Sequence, residues 1–215
     1  MMGRPHYLVI GAGGHARVVA DALIAGGGEV IAFIDREPGA ELLGRPVLSE
    51  SRDLVEFDRA AIQLAIGVGG TRGGAPGILR AGLIERLSRE GWMIADVIHP
   101  AAAISPSARL GEGVQVLARA VVQPNALIGD GTIVNTAAVV EHDAIVGSHC
   151  HISIGAILSG GVTVGANSHI GAGACIREGV TIGRDVTIGM GAVVLGDCPG
   201  GSVFFGNPAR EANRT

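Results

Sequence analysis

One period governs nearly half of this chain. From Ile98, every sixth residue is Ile, Leu or Val: Ile98, Ile104, Leu110, Val116, Val122, Ile128, Val134, Val140, Val146, Ile152, Leu158, Val164, Ile170, Ile176, Ile182, Ile188 and Val194. Four residues after each stands a small or β-branched residue, from Ala102 and Ala108 through Cys150 to Ala192 and Cys198. There is no insertion or slip. A helical period of 3.6 and a strand period of 2 both fail to give a strict six. A hexad repeat is the signature of a parallel β-helix, in which each six-residue rung is one short strand and a turn. The aliphatic residue fills the interior and the small residue fits a corner. Gly111, Gly129, Gly147, Gly165, Gly171, Gly183 and Gly189 read as turn positions that need a positive φ.

Composition agrees with that core. Aromatics are 3% of the chain and glycine is 36 of 215 residues, as expected where small and branched side chains fill thin stacked layers. A net charge of −4 leaves no basic footprint for nucleic acid. All 16 basic residues are Arg, which excludes Schiff-base chemistry and a Walker-type phosphate lysine. Cys150, Cys175 and Cys198 show no CxxC spacing and form no disulfide framework. Neither a signal peptide nor a membrane span is legible, so a cytoplasmic address is expected.

Before the repeat, strands alternate with helices. Tyr7–Ile10 reads as a buried strand, then comes Gly11-Ala12-Gly13-Gly14-His15-Ala16 and a helix to about Ala25. A second strand, Val30–Ile34, ends at Asp35; a third, Ile62–Ile66, ends in Gly67-Val68-Gly69-Gly70, and a helix follows over Gly77–Glu90. This is a half-Rossmann βαβ unit. Gly11-x-Gly13-x-x-Ala16 with an acid at 35 fits a dinucleotide fingerprint, whose backbone N–H groups approach a pyrophosphate at a helix N-terminus. Too few residues precede the repeat for a full nicotinamide enzyme, so a non-redox nucleotide diphosphate fits better. The expected division is residues 1–97 as a nucleotide-sugar-binding unit, 98–199 as the β-helix and 200–215 as a C-terminal tail.

Residues 98–199 resemble the left-handed β-helix of the hexapeptide-repeat acyltransferases. The short nucleotide-binding segment, Gly13-Gly14-His15 and the absence of an excursion loop resemble one subgroup. Its members are the nucleotide-sugar N-acetyltransferases and sialic acid O-acetyltransferases of bacterial surface sugars. The resemblance implies three rungs per triangular coil, a homotrimer with active sites between neighbouring subunits, acetyl-CoA as co-substrate and no metal. It is nearest to the members acting on GDP-perosamine, a 4-amino-4,6-dideoxy sugar of lipopolysaccharide O-antigen. It makes His142 the general base and Glu141 and Asp143 its orienting partners, with Asn135 near the acceptor sugar. It places His151, Gly160, Ala172 and Met190 against acetyl-CoA, and Gly11, Gly13, Gly14, His15, Asp35, Arg36 and Gly67 against the nucleotide sugar.

Elementary chemistry supports these roles. Imidazole titrates near 6.5, the range suited to accepting a proton at neutral pH, and a neighbouring carboxylate fixes its tautomer. Pro124, His142, Gly160 and Glu178 are 18 apart, so the Gly160 backbone stacks one coil from His142 and its N–H can face a thioester oxyanion. His151 is nine residues from His142, half a coil away, so the two meet only across a subunit interface.

Plainer readings accompany these. His6 and His99 read as surface residues, and His169, one coil from His151, as a stacked surface ladder. His15 can simply cap its helix, Asp35 can simply end a strand, and Cys150 and Cys198 fill the small inward register. A zinc hydratase on the same helix needs three convergent histidines, and His142, His149, His151 and His169 scatter over different hexad positions. A nucleotide-sugar sensor would lack the His–acid pair. Guanine against uracil, and amine against hydroxyl acceptor, stay open.

Overall fold

The computed structural model describes residues 4–69 and 76–212; Gly70 and the last residues of the tail lie outside them. The N-terminal unit runs β1 (His6–Ile10), α1 (Gly14–Ala25), β2 (Glu29–Asp35), β3 (Gly39–Leu42), β4 (Arg45–Ser49), α2 (Glu50–Asp53), β5 (Ile62–Ile66) and α3 (Pro76–Arg89). The sheet order is β3-β4-β2-β1-β5, parallel except for β3. Leu8, Val9 and Ile10 are almost fully buried, as a central parallel strand covered on both faces requires. Val9, Phe33 and Ala65 share a buried cluster with α1, whereas Leu8, Ile34 and Leu64 share another with Leu87 of α3. The sheet therefore exceeds the expected βαβ unit by the β3–β4 hairpin, which the short, exposed run from Gly39 to Arg45, without alternating apolar residues, conceals.

From Val97 the chain winds as a left-handed parallel β-helix of two-residue strands. Its first face stacks Val97–Ile98, Gln115–Val116, Ile133–Val134, His151–Ile152, His169–Ile170 and Thr187–Ile188. The second face runs from Ala103–Ile104 to Val193–Val194, and the third from Arg109–Leu110 to Thr181–Ile182. Register partners among the two-residue strands are 18 apart, as in Val121–Val139–Ile157. The hexad aliphatics and their small partners form one continuous core, in which Cys150 and Cys198 are packing residues. Burial pushes both thiols up to about 11.

The turn glycines act differently from expectation. Gly111, Gly129, Gly147, Gly165, Gly171, Gly183 and Gly189 do not have positive φ. They are small because the next coil crosses them: a Cβ on Gly129, Gly147 or Gly183 would lie 2.5–2.6 Å from the next coil's backbone nitrogen. The left-handed conformation falls two residues later, at each sixth position from Gly113 to Gly191. Glycine shares that register with Arg119, Asn125, Ala137, Asp143, His149, Asn167 and Asp185. Asn, Asp and His tolerate it best among side-chain-bearing residues.

Helix α1 lies between its own sheet and the coil: Val97, Leu117 and Ile133 of the first face join Ala16, Val19 and Ala20 in one buried cluster. The expected tail also has structure. Val203–Gly206 extends the first face in parallel with Thr187–Ile188, and Ala209–Glu211 turns back antiparallel to it.

Candidate active site

His142 and Asp143 occupy the corner between the second and third faces, just after Val139–Val140. Asp143 takes the left-handed position, φ 59°, which turns its side chain back along the corner. Its Oδ2 accepts from His142 Nδ1 at 2.8 Å, and its Oδ1 accepts from Asn125 Nδ2, one coil below, at 3.2 Å. Glu141 instead accepts from the His142 main-chain N–H at 3.3 Å. The two acids thus divide: Asp143 holds the ring and Glu141 the backbone. The hydrogen bond to Asp143, with the charges of Asp143 and Glu141, raises the His142 pKa above the ordinary imidazole value. The same bond, with that from Asn125, holds the Asp143 carboxyl below its usual range.

With Nδ1–H committed to Asp143, His142 Nε2 carries the free lone pair. It faces Gly160: a Cβ there would lie 2.7 Å from both Nε2 and Cε1. Only glycine leaves Nε2 open on that side.

The second group of expected residues lies on and beside the first face, elsewhere on the triangle. Asn135 Nδ2 approaches His151 Nε2 at 3.0 Å, while Asn135 Oδ1 accepts from the Thr136 N–H. The amide therefore donates to His151, whose proton resides on Nδ1. Asn135 is a partner of His151 and makes no contact with His142 within the chain. Burial, helped by His169 and Arg80, pushes His151 down to about 3, so it stays neutral. His169 is half-buried and stacks one coil above the buried His151, the rings meeting edge-on at 5.2 Å. From α1, His15 Nε2 bonds Gln115 Oε1 at 2.8 Å, and Gln115 Nε2 donates to the Ile66 carbonyl at 2.6 Å. That carbonyl fixes the amide orientation, so His15 donates through Nε2–H and caps nothing. A cleft of about 320 Å³ opens between His15, Gly14, Gly69, Asn135, Thr136 and His151. Further along the same corner stand Ala172 and the exposed Met190, whose chain segments stack one coil apart.

The fingerprint loop lies at the C-terminal ends of β1, β2 and β5. Gly11 adopts φ 102°, and its N–H bonds the Ile34 carbonyl. Asp35 Oδ2 accepts from the Ala12 N–H at 2.8 Å and Oδ1 from Glu37 N–H at 3.3 Å, so the acid clasps the loop. A Cβ on Gly67 would meet Ala16 at 2.7 Å, whereas Gly13 and Gly14 have open space around them. The N-terminus of α1 carries no side-chain cap and no acid in its first turn, leaving its N–H groups and dipole facing that space. Gly11, Asp35, Arg36, Glu50, Val68 and Leu79 are among the residues lining a cleft of about 250 Å³.

Three features escape sequence reasoning. Arg80 of α3 is buried against the coil and donates to three of its carbonyls. Gln115 bridges the two units. A larger groove of about 670 Å³ shares Arg36 and Glu50 with the strand-end cleft; there Arg86 pairs with Glu50 and Glu90, and Arg59 covers the Trp92 ring. Among the described residues no group of three His, Cys, Asp or Glu side chains gathers for a metal, and no helix is long and apolar enough to cross a membrane.

Known proteins share this architecture. Residues 7–72 match the PglD N-terminal domain, and residues 161–196 match the bacterial transferase hexapeptide (six repeats). Perosamine N-acetyltransferase from Caulobacter crescentus, solved as a histidine variant with CoA and GDP-perosamine, is 37% identical. That match covers 100% of this chain and 99% of that one, with a TM-score of 0.91. The acetyltransferase domain of PglB from Neisseria gonorrhoeae, in complex with acetyl coenzyme A, is 39% identical over 98% of this chain and 100% of its own, with a TM-score of 0.90. WeeI from Acinetobacter baumannii is 25% identical over 96% and 99%, with a TM-score of 0.77. No curated protein matches the sequence significantly.

Proposed function

This chain belongs to the hexapeptide-repeat sugar acetyltransferases that carry a PglD-type N-terminal domain, and we propose that it acetylates the 4-amino group of a nucleotide-linked 4-amino-4,6-dideoxy sugar, with GDP-perosamine as the leading substrate. Membership makes it an acyltransferase with acetyl-CoA as co-substrate. The α/β unit, residues 1–97, captures the nucleotide diphosphate at Gly11, Gly13, Gly14 and the α1 N-terminus, with Asp35, Arg36 and Gly67 around it. Residues 98–199 perform the transfer. The full-length likeness to a structure solved with GDP-perosamine supports guanine over uracil.

His142 Nε2 accepts a proton as the sugar amine attacks the thioester carbonyl. A C–N bond forms, the C–S bond breaks, and CoA leaves as the thiol, taking up the proton released by the amine, with no acyl-enzyme. The Gly160 N–H faces the developing oxyanion, an effect that reaches about 2.7–4 kcal/mol in other enzymes. The observation that carries this reading is the His142 ring itself, held through Nδ1 by Asp143 with Nε2 open over Gly160. His142 and His151 lie on different parts of one triangular coil. This favours a homotrimer, in which the His142 corner of one subunit completes the site formed by Asn135, His151, Ala172 and Met190 of the next. Nucleotide-sugar and acetyl-CoA use is consistent with a cytoplasmic address.

The test is CoA thiol release from acetyl-CoA with GDP-perosamine, UDP-linked 4-amino sugars and free sialic acid. Selective turnover of GDP-perosamine is expected. Turnover only with a UDP sugar moves the base assignment, turnover only with sialic acid changes the reaction to O-acetylation, and silence with all three overturns the reading.

A further inference from the structure

We propose that Arg80 is a positioning residue that fixes the angle between the nucleotide-binding unit and the coil, aligning a sugar held by one with the acyl donor held by the other. This rests on the reading above for the identity of the ligands, but its structural content does not.

Arg80 is 1% exposed and forms no ion pair with a carboxylate among the described residues. Its Nε donates to the Gly131 carbonyl at 2.9 Å, and Nη2 to the His149 and Cys150 carbonyls at 2.8 and 2.9 Å. Nη1 is buried without a hydrogen-bond partner. Gly131 and His149 are the left-handed residues of two successive coils, 18 apart at one corner. The guanidinium therefore grips the same corner twice, as a planar fork can and a point charge cannot. A Cβ on Gly131 would collide with the His149 ring at 2.5 Å, so the glycine keeps that corner open.

Burial pushes the Arg80 pKa down to about 10, which leaves it cationic at neutral pH. A buried cation without a counter-ion is a costly way to stick two surfaces together, and an apolar side chain of similar volume often does as well or better. Adhesion is already supplied by α1 against Val97, Leu117 and Ile133. Apolar contact, however, is non-directional and permits sliding. Hydrogen bonds are directional, and two polar pins resist rotation where one would act as a pivot. The second pin is Gln115, buried between the Ile66 carbonyl and His15. Gln115 reaches the rim of the strand-end cleft, ending on the residue before Gly67 and on His15 in the first turn of α1, while Arg80 holds the middle of α3. A rotation about either pin would move the strand-end cleft relative to Asn135 and His151.

The test uses the full-length protein and the variants Arg80→Met and Arg80→Lys. In Arg80→Met, kcat/KM for the nucleotide-linked amino sugar is expected to fall about 100-fold, the cost of a misplacement near 1 Å. GDP binding and the acetyl-CoA KM stay within about threefold, because each pocket by itself is intact. Arg80→Lys recovers part of the loss. Amide hydrogen exchange across α3 rises in Arg80→Met while the coil core around Val134 and Ile152 stays protected. Retained kcat/KM in Arg80→Met overturns the proposal. So does a parallel loss of GDP and acetyl-CoA binding, which would make Arg80 a residue of general folding. Should the wild type acetylate no nucleotide-linked sugar, the proposed substrate fails alone; unchanged exchange across α3 in Arg80→Met would then overturn the positioning role.

Discussion

The coil and the α/β unit specify their structures by opposite means. In the coil, a residue's place follows from its number: add 18 and the neighbour one strand spacing away is known, as from Val121 to Val139 to Ile157. In the α/β unit, neighbours are scattered in sequence, and β1 pairs with both β2 and β5. The first arrangement is easy to read and intolerant of length change. The second is harder to read and absorbs length change in its loops. In the proposed function the chemistry divides similarly: the proton acceptor belongs to the regular part, and capture of the nucleotide to the irregular part.

The sharpest way to break this contrast is insertion. One extra glycine after Gly147 would shift every later hexad against its stacking partner, and the cooperative unfolding transition is expected to disappear. The same insertion after Gly44, in the exposed β3–β4 turn, should cost about 1 kcal/mol or less, because loop closure depends weakly on length. Equal tolerance at both sites, read by thermal denaturation, would dissolve the distinction. Next in size is His142→Ala, expected to lower kcat by about 10² to 10⁴-fold, the range for a positioned base, with acetyl-CoA binding retained. Turnover near wild type would remove His142 from the reaction.

Two adjacent glycines sharpen the positional rule further. Gly160→Ala would place a methyl 2.7 Å from His142 Nε2 and is expected to cost about 100-fold in kcat/KM. Gly161 has φ 67° with open space around it, so Gly161→Ala should lower stability by about 1 kcal/mol and spare the chemistry. The smallest effect on turnover among the active-site changes belongs to Asp143→Asn. Asp143 raises the His142 pKa, and the basic form exists above that pKa. Removing the carboxylate lowers it, so the acid limb of kcat/KM should move to lower pH while the maximum falls about tenfold. An unmoved acid limb would mean that another group sets it.

Sequence reasoning reached the coil, the placement of His142 beside Gly160 and the fingerprint loop, because each depends on spacing within a short stretch. It misassigned the corner glycines, since glycine answers two needs: close passage of the next coil at Gly129, and a left-handed backbone at Gly131. The left-handed register is half concealed because Asp143, Asn125 and His149 also satisfy it. The resemblance places Asn135 near the acceptor sugar; within one chain its side chain is held by His151. Arg80 and Gln115 could not be found in advance. An arginine on an amphipathic helix and a glutamine on a strand read as solvated, and only contacts 49 to 100 residues distant reveal their burial.

The hairpin that follows the last coil has a consequence beyond tidiness. A stack of parallel strands is, in principle, a template for unlimited one-dimensional growth, because its last strand offers the same unpaired edge as every strand before it. Here the first face does not end on such an edge. Ala209–Glu211 runs opposite to all the strands beneath it, with Arg210 and Glu211 at the rim. On this face a second molecule arriving end-on meets a reversed, charged strand instead of the next rung. The molecule that most resembles a fragment of fibre thus carries its own terminator.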